Sequence, residues 1–158
     1  MKTESDPIIP SDEDWAGPLY LDASALAKLY LPEPGSDALD AAIRGRNDLI
    51  VSDLAVTEIV SAISRRRREG SMSVLSVSRL HRMVLSDIES GLYVRSDLLP
   101  ETHREAERLL LAMEGVALRA ADAFHLALAT LSGASAIVTY DLRLAEAAPV
   151  RVARRAQA

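Results

Sequence analysis

Cysteine is absent from all 158 residues, which excludes a disulfide framework, thiolate catalysis and a Cys-ligated zinc site. That absence suits a reducing cytoplasm, the expected location. No apolar run approaches the ~20 residues that a membrane-spanning helix needs, so no membrane association is expected. The opening MKTESDPIIPSDEDW lacks the basic start and unbroken apolar stretch of a secretory signal. A nucleotide-binding glycine loop, internal repeats and low-complexity tracts are also missing. Lysine is nearly so: Lys2 and Lys28 stand against 16 arginines, a bias that suits bidentate phosphate contacts but that a GC-rich genome would equally produce.

What is present is enough for one ordinary core: 49% of residues are apolar and 26% charged. The net charge is −5, yet residues 1–17 carry Lys2 against Glu4, Asp6, Asp12, Glu13 and Asp14, so the remainder is almost neutral. Bulk acidity therefore does not veto an RNA substrate. The expected division is an acidic, flexible tail over residues 1–17, a single domain over 18–153 and a short basic tail over 154–158.

Short apolar strands alternate with helical patterns along that domain. Strands are expected at Leu19–Leu21, Leu49–Val51, Leu92–Val94 and Ala136–Val138, with a closing edge strand at Val150–Val152. Helices are expected from Ser24 to Tyr30, after a Ser36 cap, from a Ser52 or Asp53 cap to Arg68, over Ser73–Ser90 and Glu101–Glu114, from the region of Asp122 to Gly133, and over Leu142–Ala148. Val74, Val77, His81, Val84, Leu85 and Ile88 mark the inner face of the fourth helix; Ala106, Leu109, Leu110 and Met113 mark that of the fifth. Such alternation implies an α/β domain with a central parallel sheet flanked by helices on both faces.

The stretch RAADAFHLALATLSGASAIVTYD, Arg119 to Asp141, organises the chain. Asp122 sits among apolar residues at a helix entry, where a solvated surface role explains it poorly. Asp22 and Asp141 each follow an apolar strand, and Glu58 lies in the helix after the second strand. If those strands are neighbours, the four acids meet at the carboxyl rim of the sheet, where open α/β folds bind ligands. Four carboxylates at one rim repel unless divalent cations neutralise them, and hard oxygen donors select Mg²⁺ or Mn²⁺. The chemistry implied is hydrolysis directed at phosphate by a metal-activated water; the bland alternative is four helix caps.

Four ordered segments, LYLDASALAKLYL, SDLAVTEIVSAISRR, LRAADAFHLALA and AIVTYDLRLAEAA, resemble the motifs of PIN-domain ribonucleases, above all the VapC-type toxins of bacterial toxin–antitoxin pairs. The likeness runs from Leu19 to Ala148. It implies a PIN-like fold and makes Asp22, Glu58, Asp122 and Asp141 the catalytic metal ligands, with Ser24 and Thr139 orienting ligands or water. It further implies an endoribonuclease that leaves 5′-phosphate and 3′-hydroxyl ends, a homodimer, and a cognate antitoxin that blocks the site. Two departures stand out: the acidic N-terminal extension, and Ala148-Pro149 where a glycine commonly precedes the last strand.

Other residues have plainer readings. His125 adjoins Asp122 but lies in an apolar helix, which favours packing over a general-base role. His81 and His103 lack metal-ligand spacing. Arg119 can pair with a carboxylate or meet phosphate, and Asp53 reads as a cap acid. Trp15 could anchor the tail or a partner. Arg65–Arg68 suits the end of a helix, with RNA contact as the alternative. A non-catalytic PIN-fold module that binds RNA or a partner, and a phosphoacceptor signalling domain, are the competing functions. The second would need a lysine near the rim.

Overall fold

The computed structural model describes residues 16–148 and 151–154; Trp15, nearly all of the acidic tail, Pro149, Val150 at the start of the expected closing strand, and the last four residues lie outside the described residues. In chain order the elements are β1 (Leu19–Leu21), α1 (Ala23–Tyr30), α2 (Ser36–Ile43), β2 (Leu49–Ser52), α3 (Asp53–Arg68), α4 (Val74–Glu89), β3 (Val94–Ser96), α5 (Pro100–Ala112), α6 (Ala120–Leu131), β4 (Ala136–Val138), α7 (Leu142–Ala147) and β5 (Arg151–Arg154). The strands form one parallel sheet in the order β3-β2-β1-β4-β5. The expected α/β architecture is the observed one.

Strand periodicity divides the core. Leu19, Leu21, Leu49, Val51, Ala136 and Val138 pack with Ala25 and Leu26 of α1, Leu39 of α2, Ile59 and Ile63 of α3, and Val84 of α4. The intervening Tyr20, Ile50 and Ile137 face the other way, onto Ala106 and Leu109 of α5, Leu126 and Leu128 of α6, and Leu144 of α7. One layer of helices thus covers each face, as parallel strands buried on both sides require. The chain leaves β1 toward β2 and β3, then returns to place β4 on the opposite side of β1. That reversal makes the β1/β4 junction the switch point, and a crevice opens beyond the strand ends there.

Close approach fixes this junction from below. Gly17 has φ +75°, and a Cβ there would lie 2.2 Å from Ser135 Oγ, while Ser135 N donates to the Pro18 carbonyl at 2.7 Å.

Several local expectations need correcting. The third strand begins at Val94, two residues late, because Gly91 (φ +79°) ends α4 and the Leu92 amide is spent on the Asp87 carbonyl at 3.0 Å. Tyr93 then plugs the core while Leu92 is half exposed. On α4 the buried residues are Leu80 and Val84, with Val77 and Ile88 packed against the same core as expected; Val74 and Leu85 are exposed and His81 is not in the core. On α5, Thr102 replaces Leu110 on the buried side. Ser36 is the first residue of α2 and Gly35 its cap; the Ser36 hydroxyl bonds Glu33 N and the Leu31 carbonyl instead. Ser52 caps α3, and Asp53 pairs with Arg95 at 2.8 Å. Chemical denaturation is expected to show Tyr93→Ala losing about 3–5 kcal/mol and Leu92→Ala about 0.5 kcal/mol or less.

Candidate active site

Asp22 is the first residue past β1 and caps α1. Its Oδ1 accepts from Ala25 N at 2.8 Å and from Ser24 Oγ at 2.7 Å; its Oδ2 accepts from Thr139 Oγ1 at 2.6 Å. Thr139 follows β4, the strand paired with β1 in the register Leu21 to Val138, so sheet pairing itself delivers its hydroxyl. Ser24 Oγ in turn accepts from Tyr140 N at 2.8 Å, and Thr139 Oγ1 from Asp141 N at 3.0 Å. Asp141 caps α7 through Arg143 N and Leu144 N, with the Arg143 guanidinium 3.9 Å from its other oxygen. Asp22, Ser24, Thr139 and Asp141 are therefore one hydrogen-bonded unit across the switch point.

Glu58 and Asp122 reach the same rim from opposite helical layers. Glu58, in the second turn of α3, bonds His125 Nε2 of α6 at 2.6 Å, and His125 Nδ1 meets the Tyr20 hydroxyl at 2.8 Å. Asp122 stands one turn before His125, at the third position of α6, and accepts from Arg119 N at 3.1 Å. A carboxylate there also suits the helix dipole. The Arg119 side chain is exposed and makes no ion pair among the described residues.

Burial makes these acids unusual. Asp22 is 3% exposed and Asp122 8%, and neither has a cationic partner within an ion pair among the described residues. Burial raises the Asp22 carboxyl above the ordinary carboxylate range; His125 and the bonds from Thr139, Ser24 and Ala25 N oppose that rise without cancelling it. Among the described residues, no three acids or histidines stand close enough to form a ready-made metal cage. The four acids share a rim; they do not touch as a cluster.

The remaining candidates sort themselves by place. α3 starts at the rim, so Arg65–Arg68 lies about 20 Å away at its far end, where Arg66 pairs with Glu33. Lys28 is turned to the Pro34 carbonyl (2.7 Å) and the Tyr140 ring (4.6 Å), so it does not supply the rim lysine that a phosphoacceptor domain needs. His103 packs edge-on against Phe124. An open cleft of about 540 Å³ adjoins the unit, lined by Ser24, Tyr140, Asp141, Leu142, Arg143 and Glu146. Tyr20 and Ser52 are joined at 2.7 Å; the sequence offered Ser52 only as a helix cap and Tyr20 only as part of an apolar strand. The only signal was a hydroxyl inside an otherwise apolar strand.

Because the Asp22 carboxyl is raised, the folded state holds its proton at a pH where the unfolded chain has released it. Stability of the metal-free protein is therefore expected to fall as pH rises from the ordinary carboxylate range through the raised folded value. Asp22→Asn keeps the shape and removes the charge. Thermal melting should show it about 2–4 °C more stable than wild type at pH 7 without metal, and without that pH slope.

Residues 19–149 match the PIN domain family. Ribonuclease VapC35 of Mycobacterium tuberculosis is 37% identical over 137 residues, covering 82% of this chain and 89% of that protein. Ribonuclease VapC46 of the same organism is 33% identical over 138 residues, with the same two coverages. In three dimensions the chain is similar to Mycobacterium tuberculosis VapC20, described as a sarcin-ricin loop cleaving toxin, with a TM-score of 0.66, 16% identity, and 85% and 98% of the two chains covered. With this sheet order, this rim and these relatives, the chain belongs to the PIN domain family.

Proposed function

We propose that this protein is a metal-dependent endoribonuclease, the toxin of a toxin–antitoxin pair, which hydrolyses RNA to leave 5′-phosphate and 3′-hydroxyl ends. The observation that carries the reading is Asp22, a buried carboxylate held, among the described residues, by two hydroxyls and a backbone amide. A buried anion without a cationic partner costs several kcal/mol, an arrangement suited to a site that receives a cation. The names of VapC35 and VapC46 support ribonuclease chemistry.

The donor set fits Mg²⁺ or Mn²⁺. Asp22, Glu58, Asp122 and Asp141 offer hard oxygens with no thiolate. Mg²⁺ keeps several waters and takes one or two carboxylates together with substrate phosphate, so a rim without a closed cage suits it. When bound, such an ion neutralises the carboxylates and the phosphate and lowers the pKa of water. The chain's own residues do the positioning. Ser24 and Thr139 lock both oxygens of Asp22, and Asp122 is held at the start of α6 by the Arg119 amide.

Arg119 and Arg143 stand beside the acids and meet RNA phosphates, and the cleft at Ser24 and Glu146 accommodates a single strand. An antitoxin arginine would find the same carboxylates, or an apolar antitoxin helix would fill the groove. The active form is proposed to be a homodimer. Phosphodiester cleavage of an RNA pool is expected to require Mg²⁺ or Mn²⁺, to stop with a chelator and to return on metal addition. Asp122→Asn should reduce cleavage about 100-fold or more while its circular dichroism matches wild type. Equal cleavage by that variant would remove Asp122 from the site.

A further inference from the structure

Four polar groups form a continuous hydrogen-bonded chain from the interior of the sheet to the rim. Ser52 Oγ accepts from Ala55 N at 3.2 Å and meets the Tyr20 hydroxyl at 2.7 Å; that hydroxyl meets His125 Nδ1 at 2.8 Å, and His125 Nε2 meets Glu58 Oε2 at 2.6 Å. Tyr20 is fully buried and His125 is 3% exposed, whereas the Glu58 side chain keeps 35% of its surface. The chain runs from dry interior to a half-open carboxylate. Packing alone does not require it, because a leucine at 125 would fill the same apolar helix face without needing two partners.

Donor accounting gives the chain a direction. An ionised Glu58 offers only lone pairs, so His125 Nε2 carries a proton whatever the charge of the ring. In the neutral ring Nδ1 is then bare and must accept, and the Tyr20 hydroxyl is its partner. Burial keeps that hydroxyl protonated by pushing its pKa up. With the ring neutral, Tyr20 donates to His125, and Ser52, whose oxygen already accepts from Ala55 N, donates to Tyr20. Each member is satisfied by the next, an all-or-none network.

We propose that His125 is a positioning residue: held by Tyr20 on one nitrogen, it presents Nε2–H to Glu58 and fixes that carboxylate toward the Asp22 rim. α3 and α6 lie on opposite faces of the sheet, and this bond joins them above the strand ends. Without it, Glu58 regains rotamer freedom on the half-exposed surface of α3. Carboxylates that serve a reacting centre are themselves hydrogen-bonded, and loss of such a support costs about 10–100-fold. The inference rests on the ribonuclease reading and adds a residue and an orientation to it.

Two substitutions separate the ring's two bonds in the full-length protein. His125→Gln places an amide donor where Nε2 lay and keeps the Glu58 contact; His125→Asn reaches only toward Tyr20. RNA cleavage by the Gln variant should stay within about threefold of wild type, while Asn lowers kcat about 10–100-fold with KM for RNA unchanged. Equal losses in both variants, tracking their melting temperatures, would make His125 merely structural and overturn the proposal. A second readout needs no activity: long-range proton–nitrogen spectra of the wild-type imidazole should show Nε2 protonated, with Tyr20→Phe altering the Nδ1 signal. A bare Nε2 would overturn the assignment. If wild type cuts no RNA under any metal, the ribonuclease reading falls and the positioning role with it, while the spectra still decide the hydrogen bond.

Discussion

A carboxylate held out of water by neutral donors is the constraint on which the rest of this structure depends. Asp22 must be near the end of β1 to cap α1, and β4 must pair beside β1 for Thr139 to reach its second oxygen at 2.6 Å. That pairing needs Gly17 and Ser135 pressed together at the opposite end, where no side chain larger than glycine's fits. The cost of the arrangement is an anion whose charge is poorly compensated, visible in the raised Asp22 carboxyl. Under the proposed function, the stability given up at this point is what a bound cation would restore.

The same strand serves the site twice because of its pleat. Leu19 and Leu21 face the layer of α1–α4, and Tyr20 between them faces α5–α7. From that position its hydroxyl connects Ser52 at the mouth of β2 with His125 of α6. β1 thus sends a carboxylate beyond its end and a hydroxyl through one face, and the two helical layers are keyed to it from both sides. A centre assembled from strand ends and helix starts is rigid without a long loop, which suits chemistry that relies on positioning.

Much of this was legible in the sequence, for identifiable reasons. Asp22, Asp141 and Thr139 follow short apolar runs, and strand ends in a parallel sheet share one rim, so their convergence followed from strand adjacency. Asp122 stood out because its neighbours are apolar, and it is buried. The third strand was misplaced because Leu92-Tyr93-Val94 is as β-prone as Val94-Arg95-Ser96; the Gly91 turn that consumes Leu92 depends on three-dimensional closure. On α4 the expected face was partly right: Val77, Val84 and Ile88 pack on the core, whereas Leu80 was missed and Val74 and Leu85 are exposed, because its apolar residues outnumber those the core can cover. The Ser52–Tyr20–His125–Glu58 chain spans residues far apart in sequence, and nothing in their spacing marks it. Nor does any pattern say that four acids on one rim remain too far apart to form a cage.

The rim built around Asp22 is proposed to cut RNA. The most direct test is transcriptome-wide mapping of new 5′-monophosphate ends after induction in a bacterial host, wild type beside Asp22→Asn. The expected result is a discrete set of ends that arises with wild type alone and accompanies slowed growth. The same ends with both proteins, or none with wild type while growth still slows, would contradict the account.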